Sequence, residues 1–267
     1  MTHLLAPRSA LCSLAQELRQ GLQKAGRLLS HSLLPQNCVL CSLPSGNTPV
    51  CTACTHDFPK LSELQCVRCA LPLETTLTGT PTNCPDCAHH TPAFDAATAV
   101  WSYSFPIDTL IRDFKYGHHL YLGGFFGMHL AQTLRSRWDK APDVPPPEII
   151  IPMPLHPLRL KTRGFNQAAE LARHVAKYLG LEWRSDALLR LQDTAPQAGL
   201  RREERWANLR GAFACPESLN GAHVLLIDDV LTTGASLSAC AEVLRHAGAR
   251  RIDVAVLART PEPGHLP

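Results

Sequence analysis

The chain has 267 residues, enough for one large domain with a small one, or for two small domains. Its 45% hydrophobic and 18% charged content is ordinary for a soluble globular protein, and a formal net charge of +3 is too small to indicate a nucleic-acid partner by itself. No stretch approaches about 18 apolar residues, which excludes an ordinary transmembrane helix, and the first residues lack the unbroken apolar segment of a secretion signal. We therefore expect a protein of the reducing cytoplasm.

The first part of the chain predicts one amphipathic helix within residues 1–34. Four leucines recur at helical spacing, opposite polar side chains such as Arg19 and Lys24. These leucines are Leu11, Leu14, Leu18 and Leu22. We expect this helix to dock on the rest of the protein. Because its polar face is mildly basic, binding to a membrane surface or a partner is an alternative, and an organelle-targeting segment is a lesser one.

Cysteines dominate residues 35–92. Eight of the eleven form four Cys-x-x-Cys pairs: Cys38/Cys41, Cys51/Cys54, Cys66/Cys69 and Cys84/Cys87. Two cysteines three positions apart do not easily close a disulfide, but they can hold one metal ion together. Few large apolar residues lie between the pairs, so the segment needs metal to stabilise it. The pairs therefore predict two closed zinc sites of four thiolates each, which are structural because no coordination position is left open.

Two questions about the cysteines stay open at the level of sequence. The simplest assignment joins the first two pairs in one zinc site and the last two pairs in the other, but an interleaved assignment is compatible with the same spacing. A redox-active dithiol is the other interpretation of a Cys-x-x-Cys pair. We disfavour it because the thioredoxin-like βαβ context is absent.

From residue 93 onward, strand and helix patterns alternate. The predicted strands are Ala97–Tyr103, Glu148–Ile151, Val224–Ile227 and Ile252–Leu257, and the predicted helices are Ile107–Tyr116, Leu120–Trp138, Phe165–Leu179 and Ala235–His246. Continuous apolar runs are typical of strands that are buried on both faces of a parallel sheet. We therefore predict an α/β domain over residues 93–267, with a parallel sheet that carries helices on both faces and follows a small Cys-rich domain.

The segment from Val224 to Ser236 carries the strongest functional signal. A buried strand delivers two adjacent acids, Asp228 and Asp229, to the C-terminal edge of the sheet, where open α/β sheets bind ligands and where we expect both side chains to be exposed. A hydroxyl-rich turn with one glycine follows, so backbone N–H groups and hydroxyls form a cradle for an anion. Acids beside an anion fit the hydroxyls of a sugar phosphate. The alternative is a turn whose Asp and Thr residues only cap the helix.

A basic segment follows the predicted strand that ends at Pro152. Arg159, Lys161 and Arg163 lie on an expected loop at the sheet edge, and Gly164-Phe-Asn-Gln167 leads into the next helix. Two or three basic side chains at the same edge as the phosphate cradle would suit a pyrophosphate group. A solvated basic loop is the alternative.

Taken together, these motifs resemble the type I phosphoribosyltransferases, which bind phosphoribosyl pyrophosphate (PRPP), and more specifically the ComF family. The matching motifs are Phe114-Lys115-Tyr116, Pro152-x-Pro154, Arg163-Gly-Phe-Asn-Gln167, Thr194-x-x-Gln197-x-x-Leu200 with Arg205-x-x-Asn208, and Asp228-Asp-Val-x-Thr-Thr-Gly-Ala235. The cysteine pairs resemble the N-terminal double zinc ribbon of that family. We accordingly divide the chain into a helix (1–34), a double zinc ribbon (35–92) and a phosphoribosyltransferase-like domain (93–267).

The resemblance implies a set of ligand contacts. Asp228 and Asp229 would hold the ribose hydroxyls and are the candidate catalytic residues. The other PRPP contacts would be Val230, Leu231, Thr232, Thr233, Gly234, Ala235, Ser236, Met153, Pro154, Arg159, Arg163, Asn166, Gln167, Lys115 and Arg205. Mg²⁺ would arrive with PRPP, and two structural zinc ions would occupy the ribbon. The arginine-rich residues 190–210 correspond to a loop that closes over PRPP in related enzymes, with a solvated charged helix as the alternative.

Two functions follow from the resemblance. ComF proteins are associated with natural competence, the uptake of single-stranded DNA into bacteria, which implies PRPP, single-stranded DNA and other competence proteins as partners. The alternative is an active phosphoribosyltransferase of nucleotide salvage, which breaks the C1–O bond of PRPP. Because the sequence shows no clear purine or pyrimidine pocket, we favour the competence role and leave catalysis open.

Overall fold

The computed structural model describes residues 36–73, 83–117, 119–193, 209 and 211–261. The predicted helix within residues 1–34 and most of the arginine-rich segment lie outside the described residues. The chain forms two compact units, Met1–Asp57 and Phe58–Pro267. Within the described ranges, no helix is both long and apolar enough to cross a membrane.

The described part of the smaller unit contains three short elements. Strand β1 (Gln36–Asn37) pairs in antiparallel fashion with β2 (Pro44–Gly46), and helix α1 covers Thr52–His56. The most buried side chains of this part are Cys38, 2% exposed, and Val50, 1% exposed. So few buried side chains do not stabilise a fold by themselves, which is why this region depends on its cysteines.

A parallel sheet forms the centre of the larger unit. The strands of this unit are β3 (Ala96–Ser102), β4 (Ile149–Pro152), β5 (Glu182–Trp183), β6 (Leu189–Arg190), β7 (Phe213–Ala214), β8 (His223–Leu231) and β9 (Arg251–Arg259). Five of them form the sheet, in the spatial order β3-β9-β8-β4-β5, and every neighbouring pair is parallel. Strands β6 and β7 make a separate antiparallel pair. The predicted parallel sheet is confirmed.

Helices connect and cover these strands. They are α2 (Pro85–His89), α3 (Ile107–Tyr116), α4 (Leu122–Asp139), α5 (Pro157–Arg163), α6 (Gln167–Leu179) and α7 (Ala235–His246). Helices α4 and α6 pack against each other and against the sheet, and α7 packs against β8 and β9. Gly180 ends α6 in the left-handed conformation, with φ of 70°, as expected for a glycine at a helix C-terminus. The predicted α/β class is confirmed.

The basic segment after β4 differs from the prediction, because it is a helix rather than a loop. Pro157 occupies the first turn of α5, and the His156 imidazole accepts a hydrogen bond from the Leu158 backbone N–H at 3.3 Å. Gly164 then ends the helix with φ of 83°. A capping side chain, a proline in the first turn and a terminal glycine suffice to close a helix of two turns. The expected loop was therefore wrong.

The boundary between the compact units falls between the second and third cysteine pairs. Cys66, Cys69, Cys84 and Cys87 lie in the same hydrophobic core as residues of β8 and α7, such as Leu226 and Leu237. The larger unit thus begins well before residue 93, since it includes the second half of the Cys-rich segment.

Candidate ligand-binding crevice and metal sites

The cysteines form two groups, each made of consecutive pairs in chain order. Cluster 1 comprises Cys38, Cys41, Cys51 and Cys54, and cluster 2 comprises Cys66, Cys69, Cys84 and Cys87; within each, the four sulfur atoms lie within 4.8 Å of one another. Neighbouring sulfurs are 3.7 Å apart in both, between Cys41 and Cys51 and between Cys69 and Cys84. Tetrahedral zinc with sulfur ligands at about 2.3 Å requires a separation of about 3.8 Å. Both clusters fit structural zinc, and the interleaved assignment is excluded.

In both clusters, the first cysteine pair lies in a tight turn of the same kind. The Cys38 N–H donates to the Leu43 carbonyl at 2.8 Å, and the Cys66 N–H donates to the Leu71 carbonyl at 2.8 Å. Hydrogen bonding to the Cys69 thiol is the largest influence that lowers the pKa of Cys66. A lowered pKa favours the thiolate, which is the form that binds zinc.

The second pair of each cluster begins a short helix. Cys51 precedes α1, and its sulfur accepts a hydrogen bond from the Cys54 N–H. Cys84 precedes α2 and accepts from the Cys87 N–H in the same way. The two clusters are therefore built on one local plan.

A crevice opens where β4 ends and β8 continues. The chain leaves β4 toward β5 on one side, and it leaves β8 toward β9 on the other side. β4 pairs with β8 only as far as Ile227, and the Met153 N–H then donates to the Ile227 carbonyl at 2.8 Å. Where the connections from two neighbouring parallel strands run to opposite sides of the sheet, the carboxyl ends of these strands are the usual place for ligands in open α/β sheets. The Asp228–Ser236 segment begins at this point.

The two acids lie within β8 rather than after it. Strand β8 extends to Leu231, because Asp228 and Val230 still pair with β9. Successive residues of a strand point to opposite faces, so the carboxylates diverge. Asp229 is 3% exposed and Asp228 is half-buried. The expectation that both side chains would be exposed was therefore wrong, because it depended on a strand that ended at Ile227.

Asp229 pairs with a lysine from α3. The Lys115 Nζ lies 2.9 Å from Asp229 Oδ2, and both side chains are largely removed from solvent. Burial lowers the pKa of Lys115, but the Asp229 carboxylate, together with Asp228 and Tyr116, more than offsets that effect, so the pKa is raised overall. The lysine is therefore a cation that neutralises Asp229 beneath the crevice.

Asp228 lies in a different environment. Its Oδ1 accepts a hydrogen bond from the Asp229 N–H at 2.9 Å. Burial, followed by repulsion from the Asp229 carboxylate, raises the pKa of Asp228 to about 7. Burial and then the Asp228 carboxylate also raise the pKa of Cys240, on α7, well above its usual range. Asp228 thus titrates near neutral pH and faces α7, whereas Asp229 faces α3.

The turn after β8 has the shape of an anion cradle. Thr232 and Thr233 are exposed, and Gly234 has φ of 76°, a conformation that side chains rarely adopt. α7 begins at Ala235, so the first N–H groups of a twelve-residue helix are free to bind an anion. Ser236 is half-buried in that first turn, and the side chains of Val230 and Leu231 belong to the strand.

Basic side chains stand near the crevice, on and around α5. The Arg159 Nε donates to Asp193 Oδ1 at 3.0 Å. Arg163 donates to Gln167 Oε1 at 2.5 Å and to the Tyr116 hydroxyl at 3.3 Å, and its guanidinium lies 4.8 Å from the centre of the Tyr116 ring. An open cleft of about 250 Å³ is lined by Lys115, Tyr116, Arg159, Thr162 and Arg163. The structure brings three predicted contacts together in one basic cleft.

The Asn166 side chain forms hydrogen bonds with three backbone groups. Its Oδ1 accepts hydrogen bonds from the Ala168 and Ala169 N–H groups at 2.9 and 3.3 Å, and its Nδ2 donates to the Met153 carbonyl at 3.0 Å. Asn166 therefore caps α6 and ties it to the end of β4, next to the half-buried Pro154. Arg205 lies outside the described residues.

The sequence analysis assigned Arg190 no ligand contact, although Arg190 lies near enough to Asp228 to interact with it electrostatically. Burial, then the Arg159 guanidinium, lowers the pKa of Arg190, and the Asp228 carboxylate opposes that shift. The guanidinium also lies 5.5 Å from the centre of the Phe213 ring. The strands that place it, β6 and β7, have two residues each. Strands so short leave no periodic signal in a sequence.

Comparison with known proteins gives two family matches. Residues 161–266 match the phosphoribosyl transferase domain, and residues 29–92 match the double zinc ribbon domain. The first match includes the Asp228–Ser236 segment, and the second includes both cysteine clusters.

Individual relatives match over most of the chain. The DNA utilization protein YhgH of Salmonella typhi is 30% identical over 231 residues, 85% of this chain and 98% of the relative. Competence protein F of Haemophilus influenzae is 31% identical over 180 residues, 66% of this chain and 78% of the relative. Competence protein ComFC of Streptococcus pneumoniae is 24% identical over 219 residues, 81% and 90% of the two chains. The chain therefore belongs to the ComF family, in which a double zinc ribbon precedes a phosphoribosyl transferase domain.

Proposed function

We propose that the crevice between β4 and β8 binds PRPP together with Mg²⁺, and that the protein acts in natural competence from the cytoplasm. One observation carries the ligand assignment. Two acids at the end of β8 are followed by exposed hydroxyls, a left-handed Gly234 and a free helix N-terminus. Hydroxyl-binding acids and an anion cradle, placed side by side, are what a ribose 5-phosphate requires.

The basic cleft supports the same ligand. Arg159 and Arg163 stand beside Lys115, which is itself paired with Asp229. A pyrophosphate group on the far side of the ribose would be balanced by these guanidinium groups. Mg²⁺ would arrive with PRPP and offset the negative charge of its pyrophosphate group. Loop closure by residues such as Arg205 belongs to this proposal.

Titration calorimetry with Mg-PRPP tests the assignment. The double variant Asp228→Asn/Asp229→Asn should weaken binding at least about tenfold, roughly 1.4 kcal/mol, because hydrogen bonds from ribose hydroxyls to charged acceptors are lost. Asp253→Asn is a matched control, since Asp253 lies on the neighbouring β9 and accepts from His223 at 3.0 Å. The control should bind Mg-PRPP like the unchanged protein. If the double variant does so too, the ligand assignment is wrong.

The affinity should also depend on pH. Asp228 has a pKa of about 7 in the free protein, and contact with Mg-PRPP favours its ionised form, so binding should release a proton. Affinity should therefore rise as pH increases toward 7 and fall by up to about tenfold for each pH unit below it. Calorimetry in buffers of different ionisation enthalpy measures that proton. In the Asp228→Asn variant this proton release should be absent, and only the titration of the ligand itself should remain. If the variant shows the same dependence of affinity on pH as the unchanged protein, the role of Asp228 is contradicted.

The cellular role rests on the names of the relatives, competence protein F and a DNA utilization protein. Deleting this gene should abolish transformation with external DNA and leave growth without added bases intact. Basic side chains of the cleft would then contact single-stranded DNA, with binding that weakens steeply as salt increases. A deletion strain that transforms normally but requires a supplied base would instead establish the salvage enzyme. That result would contradict the competence role but not the PRPP site.

A further inference from the structure

Arg259 is a buried arginine that contacts two distant segments of the larger unit. It is the last residue of β9 and is 8% exposed. Its Nε donates to the Cys69 carbonyl at 2.9 Å, and its Nη1 donates to the Leu231 carbonyl at 3.2 Å. Its Nη2 lies 3.9 Å from the Cys69 sulfur. One guanidinium therefore bridges a cysteine of cluster 2 and the last residue of β8.

The Leu231 carbonyl is held by more than one donor. Besides Arg259, the Thr260 N–H donates to it at 3.1 Å, and the Thr260 hydroxyl lies at 3.4 Å. The Arg259 guanidinium also reaches the Thr260 carbonyl at 2.6 Å. Hydrogen bonds from a buried charged donor are among the stronger ones in proteins, so this carbonyl has little freedom to turn.

The orientation of this carbonyl decides where the cradle begins. Leu231 and Thr232 share one peptide unit, which is planar and trans, so the Thr232 N–H points opposite to the Leu231 C=O. Donors that fix the carbonyl on one side thereby aim the N–H to the other side. Thr232 is the first residue of the turn that precedes Gly234 and α7.

A second contact runs between the same two regions. Arg68, which lies between two cysteines of cluster 2, donates to the Phe94 carbonyl at 2.9 Å. The Phe94 ring packs over Gly234, where an added Cβ would lie 3.7 Å from the ring and 3.4 Å from Leu231 Cδ1. The turn therefore packs against the Phe94 ring, and the Phe94 backbone carbonyl is held by a side chain from the cluster 2 segment.

We propose that Arg259 is a positioning residue, through which the folded, zinc-bound state of cluster 2 sets the geometry of the anion cradle. Cluster 2 then controls ligand affinity without touching the ligand. Hydrogen bonds from outside the metal site orient the ligands of that site, and here the same guanidinium also holds the Leu231 carbonyl. The effect on ligand affinity rests on the proposed function, whereas the effect on the geometry of the turn does not.

Binding measurements on Arg259→Met and Arg259→Lys test the proposal. Arg259→Met should keep two zinc ions per chain but weaken Mg-PRPP binding about fivefold, as expected for the loss of one or two net hydrogen bonds, and Arg259→Lys should lie between it and the unchanged protein. Arg137→Met is the matched control, because Arg137 is a partly buried arginine that donates to the Ala97 carbonyl of β3 at 2.7 Å. The control should lower thermal stability and leave affinity within about twofold. Equal weakening by both methionine variants would overturn the proposal.

Hydrogen exchange provides a measurement that needs no ligand. The amides of Val230, Leu231 and Thr260, at the paired ends of β8 and β9, should exchange at least about fivefold faster in Arg259→Met than in Arg137→Met. If Arg259→Met does not fold, Thr260→Val replaces it, since it removes only the hydroxyl that touches Leu231 and Arg259; the same amides should then exchange about twofold faster. Unchanged exchange in the folded variant would defeat the inference. If the unchanged protein does not bind Mg-PRPP, the proposed function is wrong. The hydrogen-exchange result then decides by itself whether Arg259 positions the turn.

Discussion

Clusters 1 and 2 share a local plan but have opposite surroundings. Each combines a tight turn with a cysteine-capped helical turn, and each places four sulfurs within 4.8 Å. Cluster 2 is buried throughout, with Cys66 and Cys84 each 1% exposed, whereas Cys41 of cluster 1 is exposed. Among residues 36–57, which are the described part of the smaller unit, few side chains outside cluster 1 are buried, so we expect metal to be the main stabilising factor there. Cluster 2 is part of the main core, so we expect its metal to stabilise the larger unit as a whole.

The largest expected difference concerns global stability. Cys87→Ser should destabilise the larger unit by more than about 4 kcal/mol, because zinc-binding free energy is folding free energy and this site lies in the main core. Cys54→Ser is the same change at the matching position of cluster 1. It should alter the free energy of unfolding of the larger unit by less than about 1 kcal/mol. All four tryptophans lie after residue 100, so their fluorescence reports on the larger unit alone. Equal losses in the two variants would remove the distinction between the clusters.

The two clusters should also differ in their rates of zinc release, which is a smaller expected effect. With excess chelator, one zinc per chain should leave at least about tenfold faster than the other, because the thiolates of cluster 1 are reached without opening a core. A chromogenic chelator follows both phases. Cys54→Ser should lose the fast phase and keep the slow one. Two ions that leave in a single phase would contradict the predicted order.

The smallest difference concerns one backbone position in each turn. Ser42 and Ala70 have φ of 61° and 55°, a conformation that costs a residue with a Cβ about 1 kcal/mol or more. Ser42→Gly should therefore stabilise its unit by about 0.5–1 kcal/mol. Ala70→Gly should be nearly neutral, because Ala70 is 0% exposed and losing its buried methyl costs about 0.8 kcal/mol. Chelator titration midpoints of each site measure both changes; gains of equal size would show that burial does not distinguish the turns.

Local patterns in the sequence predicted individual elements well. Helices α3 and α7 have the predicted bounds, Ile107–Tyr116 and Ala235–His246, because apolar spacing and capping residues act within a few positions of the chain. α5 was missed because seven residues show too few turns of periodicity. The end of β8 was missed for another reason: Asp228 and Asp229 are poor strand residues, and only pairing with β9 keeps them in the strand.

The sequence by itself determined where the Cys-x-x-Cys pairs and the hydroxyl-rich βα turn lie, because spacing along the chain fixes such local features. Tertiary structure alone decided what those residues face. It directs Asp228 and Asp229 to opposite sides of β8, joins Asp229 to Lys115, buries cluster 2 and brings Arg259 to Leu231. These contacts join segments up to 190 residues apart, between Cys69 and Arg259, and depend on how the sheet assembles. No pattern within one segment contains that information.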